Sequence, residues 1–243
     1  MTAKELVHAF AGNPLDRGTS IRHSGDKIDA MKELPSARYL VFQDLKVLTS
    51  DGAIDYVAYR SLPKLRGDQM FLGTLNNVPY FAVQTDDGDF GEFTDCRQVV
   101  RQKDLSQSGI VAQARSMLAW HRKNSFCSQC GNETALERGG QLRRCPACNA
   151  TTHPRIDPVV IMLIEHPDDQ NLCLLGKSQG RMASSNFYSA LAGFVDQGES
   201  LEEAVRREVL EESGVFVDVL KYHSSHCLLY TSPSPRDLST SRM

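Results

Sequence analysis

Three glutamates within one predicted helical turn, Glu208, Glu211 and Glu212, have the spacing of a metal site. Side chains three and four residues apart project from the same side of a helix. Carboxylates crowded in this way raise each other's pKa unless a cation lies among them. Mg²⁺ and Mn²⁺ favour such oxygen ligands, completed by water and phosphate. Arg207 is next to the glutamates and could orient one carboxylate by a bidentate contact. The alternative is an ordinary solvated acidic face of a helix.

The ends of this helix are marked in the sequence. Ser200 followed three residues later by Glu203 is a capping box, which predicts the first turn. Gly214 is typical of a helix end. A buried stripe, with the carboxylates lying off it, is predicted from the apolar residues that recur every four positions, Leu201, Val205 and Val209.

A second group of residues that could bind a metal or take part in chemistry consists of four cysteines. They form two C-x-x-C pairs, with fourteen residues between the inner two: Cys127, Cys130, Cys145 and Cys148. This spacing is typical of a zinc ribbon, in which four thiolates surround one tetrahedral ion. A redox dithiol is the competing interpretation, but a single pair would suffice for that chemistry. A site closed by four thiolates leaves no open position, which indicates a structural role for the zinc.

Composition narrows the class of protein. The 243 residues carry 27 basic and 30 acidic side chains and no strongly basic block, which argues against a dedicated nucleic-acid surface. The ribbon retains a modest potential for binding nucleic acid through Arg138, Arg143 and Arg144. Without a long apolar run or a signal pattern, we expect a soluble cytoplasmic protein with no membrane partner. The cysteine usage agrees with a reducing compartment.

The pattern of elements predicts an α+β protein. Residues 1–105 form a β-rich amino-terminal domain, in which residues 1–35 are loop with a short helix near Glu5–Phe10. Its predicted strands are Tyr39–Phe42, Asp55–Tyr59, Met70–Leu75, Pro79–Gln84 and Asp89–Phe93. Helical spacing over residues 106–123 predicts a connecting helix, and the ribbon occupies residues 124–153.

Residues 154–225 form the domain that carries the acidic helix. The continuous apolar run Val159–Ile164 predicts a strand buried on both faces. Further strands are predicted at Leu172–Leu175 and Tyr188–Ala192, the latter leading into the loop before the helix.

The acidic stretch as a whole resembles the Nudix box. The matching positions, at matching spacing, are Gly193, Glu199, Arg207, Glu208, Glu211, Glu212 and Gly214. The resemblance implies a metal-dependent hydrolase of nucleoside diphosphates linked to another group, with Glu199 and Arg207 joining the three glutamates as catalytic residues. It also implies a Nudix α/β/α sandwich with a mixed sheet over residues 154–225.

Further motifs narrow the resemblance to the NADH pyrophosphatase family. They are the amino-terminal F-A-G-N-P-L-D-R at Phe10–Arg17, the four-cysteine ribbon, P-R-I-D-P at Pro154–Pro158 and L-A-G-F-V at Leu191–Val195. That family splits the diphosphate of NAD(H) into AMP and nicotinamide mononucleotide, and its bacterial members can also remove NAD caps from RNA. The resemblance implies a homodimer, one structural zinc, catalytic Mg²⁺ or Mn²⁺, and a substrate pocket at Ala192, Phe194 and His153. Phe194 would stack on a base, and His153 stands where the family often has tyrosine.

The resemblance covers about residues 1–225 and then breaks. After Lys221–Ser225, residues 226–243 are rich in Ser, Thr and Pro without strand or helix period, and we predict that they are disordered. They resemble translated adapter sequence, so we expect a carboxyl-terminally truncated chain with an incomplete Nudix domain. Two hypotheses remain open: a dinucleotide pyrophosphatase, and a non-catalytic zinc-ribbon protein that binds nucleotide or RNA through a degenerate Nudix domain.

Overall fold

The structure, a computed structural model, describes residues 8–61, 67–86, 90–102, 107–169, 171–177, 186 and 188–227. These residues form two compact units. The first unit contains the described residues up to Pro154 together with those from Ser224 onward, and the second is Arg155–His223. The predicted β-rich domain, connecting helix and ribbon all lie in the first unit.

A mixed sheet forms the centre of the first unit. Its strands are β1 Arg38–Gln43, β2 Lys46–Ser50, β3 Ala53–Ile54, β4 Tyr56–Ala58, β5 Met70–Leu75, β6 Val78–Gln84 and β7 Glu92–Thr94. The order is β3-β2-β1-β6-β5, with β4 also paired to β1 and β7 to β2. The β1–β6 pair is parallel, and the other pairs are antiparallel.

Apolar residues cover both faces of this sheet. The helices of the unit are α1 Gly25–Lys32, α2 Cys96–Gln102 and α3 Ser108–Lys123. On β1, Tyr39 and Val41 join the cluster that contains Ile28 of α1. Leu40 and Phe42 alternate with them and join the cluster packed against α3. Because successive strand side chains point to opposite faces, one strand contributes to both cores.

The sequence pattern located most of these strands. The β5 bounds are those predicted, and β1, β4 and β6 differ from prediction by a few residues at their ends. The prediction that residues 1–35 are loop, apart from a short helix near Glu5–Phe10, is wrong because α1 lies there. Its only buried residue is Ile28, so a periodic apolar pattern was missing. The predicted helix near Glu5–Phe10 lies mostly outside the described residues, and so does the start of the strand at Asp89–Phe93.

Helix α3 belongs to the core of this unit as well as connecting it to the ribbon. Its buried apolar residues pack in one cluster with residues of β1, β5 and β6: Ile110, Val111, Ala114, Met117 and Leu118. The Phe10–Arg17 segment is fixed to the same helix. Asn13 donates its amide hydrogens to the Gly109 carbonyl and to Gln113 Oε1, both at 2.9 Å.

The ribbon is a three-stranded antiparallel sheet of β8 Ala135–Glu137, β9 Leu142–Arg144 and β10 Thr151–Thr152, in the order β10-β9-β8. A buried arginine fixes it to the rest of the unit. Arg143 donates to the Thr134 hydroxyl at 2.7 Å and its carbonyl at 2.6 Å, and forms an ion pair with Asp68 at 3.2 Å. Its Nη1 also donates to His121 Nδ1 at 3.0 Å, while His121 Nε2 donates to the Gly140 carbonyl at 2.8 Å. Because arginine can only donate and a carbonyl can only accept, His121 is the neutral Nε2–H tautomer.

The neutral state of His121 makes this unit sensitive to acid. Burial lowers the pKa of His121 from 6.5, with Arg143 acting in the same direction and the bond to Gly140 opposing it. The unfolded chain therefore binds the proton more readily, and the stability contributed by neutral His121 is fully present above about pH 6.5. This stability is lost as the pH falls from about 6.5 towards the lowered pKa of folded His121. The loss is at most about 1.4 kcal/mol per pH unit.

We therefore expect His121→Gln to flatten the decline in the free energy of unfolding below pH 6.5. Urea unfolding at a series of pH values measures this slope. The control is His23→Gln, because His23 is exposed on the same unit and should leave the slope as it is. Equal slopes for wild type and His121→Gln would show that His121 is not the sensitive group.

The second unit combines short antiparallel strand pairs with one helix. Its elements are β11 Val159–Met162, β12 Ile164–Glu165, β13 Cys173–Leu174, β14 Gly176–Lys177, β15 Tyr188–Ser189, β16 Leu191–Phe194 and α4 Leu201–Ser213. Among the described residues the pairs are β11–β16, β12–β13 and β14–β15. Helix α4 packs on β11 and β16 around Val160, Met162, Leu191, Ala204 and Val209. The predicted α+β class is confirmed.

The prediction of a strand buried on both faces at Val159–Ile164 is wrong. Val160 and Met162 of β11 are buried against α4, whereas Ile161 is 53 % exposed and Leu163 is 66 % exposed. Helix α4 covers one face, and nothing in the described part of this unit covers the other. A continuous apolar run does not show how many faces of a strand are covered.

Across the part of the chain that the structure describes, no helix has the length and apolarity needed to cross a membrane. Of the predicted disordered tail, only His226 and Cys227 are described. The ring of His226 lies 5.7 Å from that of His8, centroid to centroid. The remainder of that prediction falls outside the described residues.

Candidate functional site

Helix α4 begins and ends as its sequence predicts. The Ser200 hydroxyl accepts from the Glu203 amide at 3.2 Å, and the Glu203 carboxylate accepts from the Ser200 amide at 2.7 Å. This is the predicted capping box. Gly214 closes the helix in the left-handed conformation, with φ of 72°, and donates to the Leu210 carbonyl.

The predicted stripe is only partly buried. Val209 is fully buried and Val205 is half-buried, but Leu201 is 49 % exposed, so its assignment to the stripe is wrong. Ala204 and Glu208 complete the buried face. The expectation that all three carboxylates lie off that face is therefore also wrong for Glu208.

Glu208 lies against the backbone of β16, where a glycine leaves it room. A Cβ atom added at Gly193 would be 1.9 Å from the Cδ of Glu208, a distance that real contacts do not reach. The Glu208 side chain is 11 % exposed, and its charge is balanced by Arg207 Nη1 at 2.8 Å. A buried carboxylate needs such a partner, because removing an isolated charge from water is costly.

Arg207 organises the acids of the site. Its Nε and Nη2 donate to the two carboxylate oxygens of Glu199 at 2.6 and 2.8 Å. This is a bidentate contact of the predicted kind, but its partner is Glu199 rather than one of the three clustered glutamates. Its Nη1 contacts both Glu208 at 2.8 Å and Glu211 at 3.2 Å, and Nη2 also donates to the Phe194 carbonyl at 2.9 Å. One guanidinium therefore ties α4 to the preceding loop and to the end of β16.

Electrostatics in this cluster follow from these contacts. The bonds from Arg207, together with the Asp196 amide, lower the pKa of Glu199 to about 2, so Glu199 is ionised at all physiological pH values. Burial raises the pKa of Glu212, and the like charges of Glu208 and Glu211 raise it further. The predicted mutual repulsion of the carboxylates is thus present at Glu212, which Arg207 does not contact.

The four cysteines converge as the C-x-x-C spacing predicts. Their sulfur atoms all lie within 4.8 Å of one another. The two turns are alike, since the residue four positions after Cys127 and after Cys145 donates its amide to that cysteine's carbonyl at 2.9 Å. Four thiols in one such cluster are the donor set of a structural zinc site. Among the described residues, no other group of three or more potential ligands converges in this way, and that includes the glutamates of α4.

The ribbon arginines do not form an open basic patch. Arg143 is buried in the network that holds the ribbon, and Arg144 is paired with Glu137 at 2.8 Å. Only Arg138 of the three is exposed. The suggested nucleic-acid surface on the ribbon therefore loses its basis.

Comparison with known proteins places these features in a family. Family models match in three segments: a NADH pyrophosphatase-like rudimentary NUDIX domain at residues 36–120, a NADH pyrophosphatase zinc ribbon domain at 122–152 and a NUDIX domain at 155–242. The NAD-capped RNA hydrolase NudC of Deinococcus radiodurans is 32 % identical over 82 % of this chain and 71 % of its own length. The chain belongs to the NADH pyrophosphatase family of Nudix proteins.

Two further relatives are more similar in sequence but longer. The NAD-capped RNA hydrolase NUDT12 of Macaca fascicularis is 47 % identical over 95 % of this chain. Its Homo sapiens counterpart is 48 % identical over 90 % of this chain. The chain spans 61 % and 58 % of the length of these two proteins.

The remaining residues that the NADH pyrophosphatase resemblance singled out are divided between the two units. Phe194 is half-buried at the end of β16 and Ala192 is exposed on the same strand, both within the unit of the acidic helix. His153 lies in the other unit, exposed, with its Nδ1 3.2 Å from the Gln141 carbonyl.

Two features of the site were missed at the level of sequence. The first is the close approach of Glu208 to Gly193. These residues are fifteen positions apart and lie in different elements, so no local sequence pattern predicts their contact. The bond from Arg207 to the Phe194 carbonyl was also missed, because every residue has a backbone carbonyl and the residue type does not show which one is used. Both positions were nevertheless within the motif that resembles the Nudix box.

Proposed function

We propose that this protein hydrolyses the diphosphate bond of NAD(H), giving AMP and nicotinamide mononucleotide, and removes NAD caps from RNA. The observation that carries the proposal is the convergence of Glu208 and Glu211 on one cationic atom, Arg207 Nη1. Both carboxylates therefore contact the same positively charged guanidinium. They lie on a helix that begins at the Ser200 capping box and packs against Gly193 through Glu208. The substrate class is supported by membership of the NADH pyrophosphatase family and by relatives named for NAD-capped RNA hydrolysis.

We assign Glu208, Glu211 and Glu212 as the ligands of Mg²⁺ or Mn²⁺. Their oxygen donors suit these hard cations. Burial, with the like charges of Glu208 and Glu211, raises the pKa of Glu212, and a bound cation would offset that repulsion. When bound, such an ion would neutralise the diphosphate and activate a water molecule. The capping box and the Arg207–Glu199 pair hold this helix against the preceding loop.

The other residues of the site have positioning roles in this proposal. Arg207 orients Glu199 and Glu208 and fixes the Phe194 carbonyl, so the metal-binding helix and the substrate-binding strand keep their spacing. Phe194 would stack on a base of the dinucleotide. Ala192 and His153 are assigned to substrate binding from the family resemblance.

Gly193 is required for the placement of Glu208, and we expect Gly193→Ala to weaken binding of Mn²⁺ by about tenfold or more. The added methyl group would overlap the carboxylate and displace it. Electron paramagnetic resonance titration of free Mn²⁺ measures this affinity.

The matched control for this prediction is Gly176→Ala in the same unit. There the new Cβ meets only the end of the Leu191 side chain, at 2.7 Å, which can move aside. Unchanged Mn²⁺ affinity in Gly193→Ala would mean that Glu208 is not a ligand in its present position.

The competing hypothesis is a non-catalytic protein that binds nucleotide or RNA. A short RNA with a 5′ NAD cap, incubated with the chain and Mn²⁺, separates the two. We expect conversion to 5′-monophosphate RNA, with the same RNA bearing a 5′ triphosphate left intact. Binding of capped RNA without cleavage would favour the non-catalytic alternative.

We also propose, from the family resemblance, that the protein acts as a homodimer in the cytoplasm. Sedimentation of the purified chain would reveal a dimer, and a monomer at micromolar concentration would contradict the first part. Localisation of a fluorescent fusion of the full-length protein tests the second part.

A further inference from the structure

Two of the four ribbon thiols face solvent and two do not. Cys130 and Cys148 are exposed, whereas Cys127 and Cys145 are buried. Three sulfur pairs across the two C-x-x-C turns lie within 3.6 Å: Cys127–Cys148, Cys130–Cys145 and Cys130–Cys148. Only the last pair, at 3.5 Å, has both members exposed.

We propose that Cys130 and Cys148 form a peroxide-sensitive release point for the zinc of the ribbon. Within the cluster a dissolved oxidant reaches this pair first, because Cys127 and Cys145 are shielded by the protein. The two sulfurs need to approach by about 1.5 Å to reach the disulfide bond length. Both belong to short turns rather than to strands, so that approach does not require β8, β9 or β10 to separate.

The chemistry is complete with hydrogen peroxide as the oxidant. One thiolate attacks a peroxide oxygen; a sulfur–oxygen bond forms, the oxygen–oxygen bond breaks, and the departing hydroxide takes a proton to become water. The second thiolate attacks the resulting sulfenic sulfur; the sulfur–sulfur bond forms, the sulfur–oxygen bond breaks, and a second water leaves after protonation. The two sulfurs together lose two electrons, which the peroxide gains.

The disulfide removes two of the four ligands of the site, and two thiolates do not hold a structural zinc. The effect extends beyond the turns through β9. Arg143 lies two residues before Cys145 and makes buried contacts with Thr134 and His121 and a partly exposed ion pair with Asp68. The contacts with His121 and Asp68 fix the ribbon to the rest of the first unit. Release of zinc therefore lowers the stability of that unit, because metal binding at such sites is coupled to folding.

The experiment uses the zinc-loaded 243-residue chain with Cys173 and Cys227, the exposed cysteines outside the cluster, replaced by serine. Hydrogen peroxide is titrated, zinc release is followed with a chromogenic chelator, and disulfides are located by mass spectrometry of peptides. We expect zinc to appear in step with a Cys130–Cys148 disulfide, and a thiol reductant with added zinc to reverse both. Cys96 serves as the internal control, since it is buried in the core and should remain a thiol.

The variant Cys148→His is compared in the same experiment, because histidine can replace a thiolate as a zinc ligand. We expect this variant to release zinc at least about tenfold more slowly under the same peroxide, since no exposed pair remains. If Cys148→His does not bind zinc, the location of the disulfide in the Cys173→Ser, Cys227→Ser chain tests the proposal by itself. Retention of zinc while Cys130 is oxidised, or a disulfide that joins any other pair, overturns the proposal. Because the readouts are zinc and sulfur chemistry, either result leaves the proposed hydrolase activity untouched.

Discussion

Glu208→Gln is expected to lower kcat for NADH hydrolysis by roughly a hundredfold or more, the scale of losing a preorganised electrostatic contact. Glutamine keeps the shape of the side chain above Gly193 and its contact with Arg207. It removes one negative charge from the proposed metal site, where charge matters most in the transition state. The loss should therefore appear in kcat more than in KM. Steady-state rates of AMP formation measure both constants.

The matched control for this substitution is Glu202→Gln in the first turn of the same helix. Glu202 is exposed and lies outside the contacts of Arg207, so its charge should be nearly irrelevant to the rate. A Glu208→Gln enzyme with near wild-type kcat would exclude the catalytic assignment. Glu208 would then be a structural partner of Arg207, and Glu211 and Glu212 would belong to an ordinary solvated helix face.

Cys145→Ser is expected to abolish stoichiometric zinc binding and to lower the free energy of unfolding by about 3 kcal/mol or more. That loss is a fraction of the roughly 10 kcal/mol with which zinc-finger peptides hold their metal. Cys145 is fully buried, and its neighbour Arg143 carries the buried contacts of the ribbon. Elemental analysis gives the zinc content, and urea unfolding gives the stability.

The control for the ribbon is Cys173→Ser, because Cys173 is exposed and lies outside the cluster. It should retain one zinc per chain and wild-type stability. If Cys145→Ser kept its zinc and its stability, the four cysteines would not be a structural metal site.

Features of the site that depend on short-range patterns could be predicted from the sequence. The capping box at Ser200 and Glu203 and the left-handed Gly214 follow from interactions within one or two turns of backbone. The cysteine cluster follows equally, since two-residue gaps bring paired thiols to one side of a turn. A bidentate contact from Arg207 was also predicted, because arginine commonly pairs with carboxylates in this way, and the structure places it on Glu199, eight residues earlier.

What could not be predicted depends on contacts between distant segments. Helix α1 has one buried residue, Ile28, so its sequence shows no periodic apolar pattern. The exposure of Ile161 and Leu201 depends on which neighbouring elements cover them, and apolar character alone does not settle that. The burial of Glu208 depends on a glycine in a different element, β16. Arg143 looked like a surface base, and only the positions of Thr134, His121 and Asp68 show it to be a buried structural group.

Product analysis after incubation of the chain with NADH and Mg²⁺ or Mn²⁺ tests the account most directly. Chromatography of the reaction separates cleavage at the diphosphate from cleavage at the nicotinamide–ribose bond. We expect AMP and reduced nicotinamide mononucleotide in equal amounts, formed only when the divalent cation is added to the zinc-loaded chain. Intact NADH under those conditions, or nicotinamide with a nucleotide that retains its diphosphate, would contradict the proposed hydrolysis.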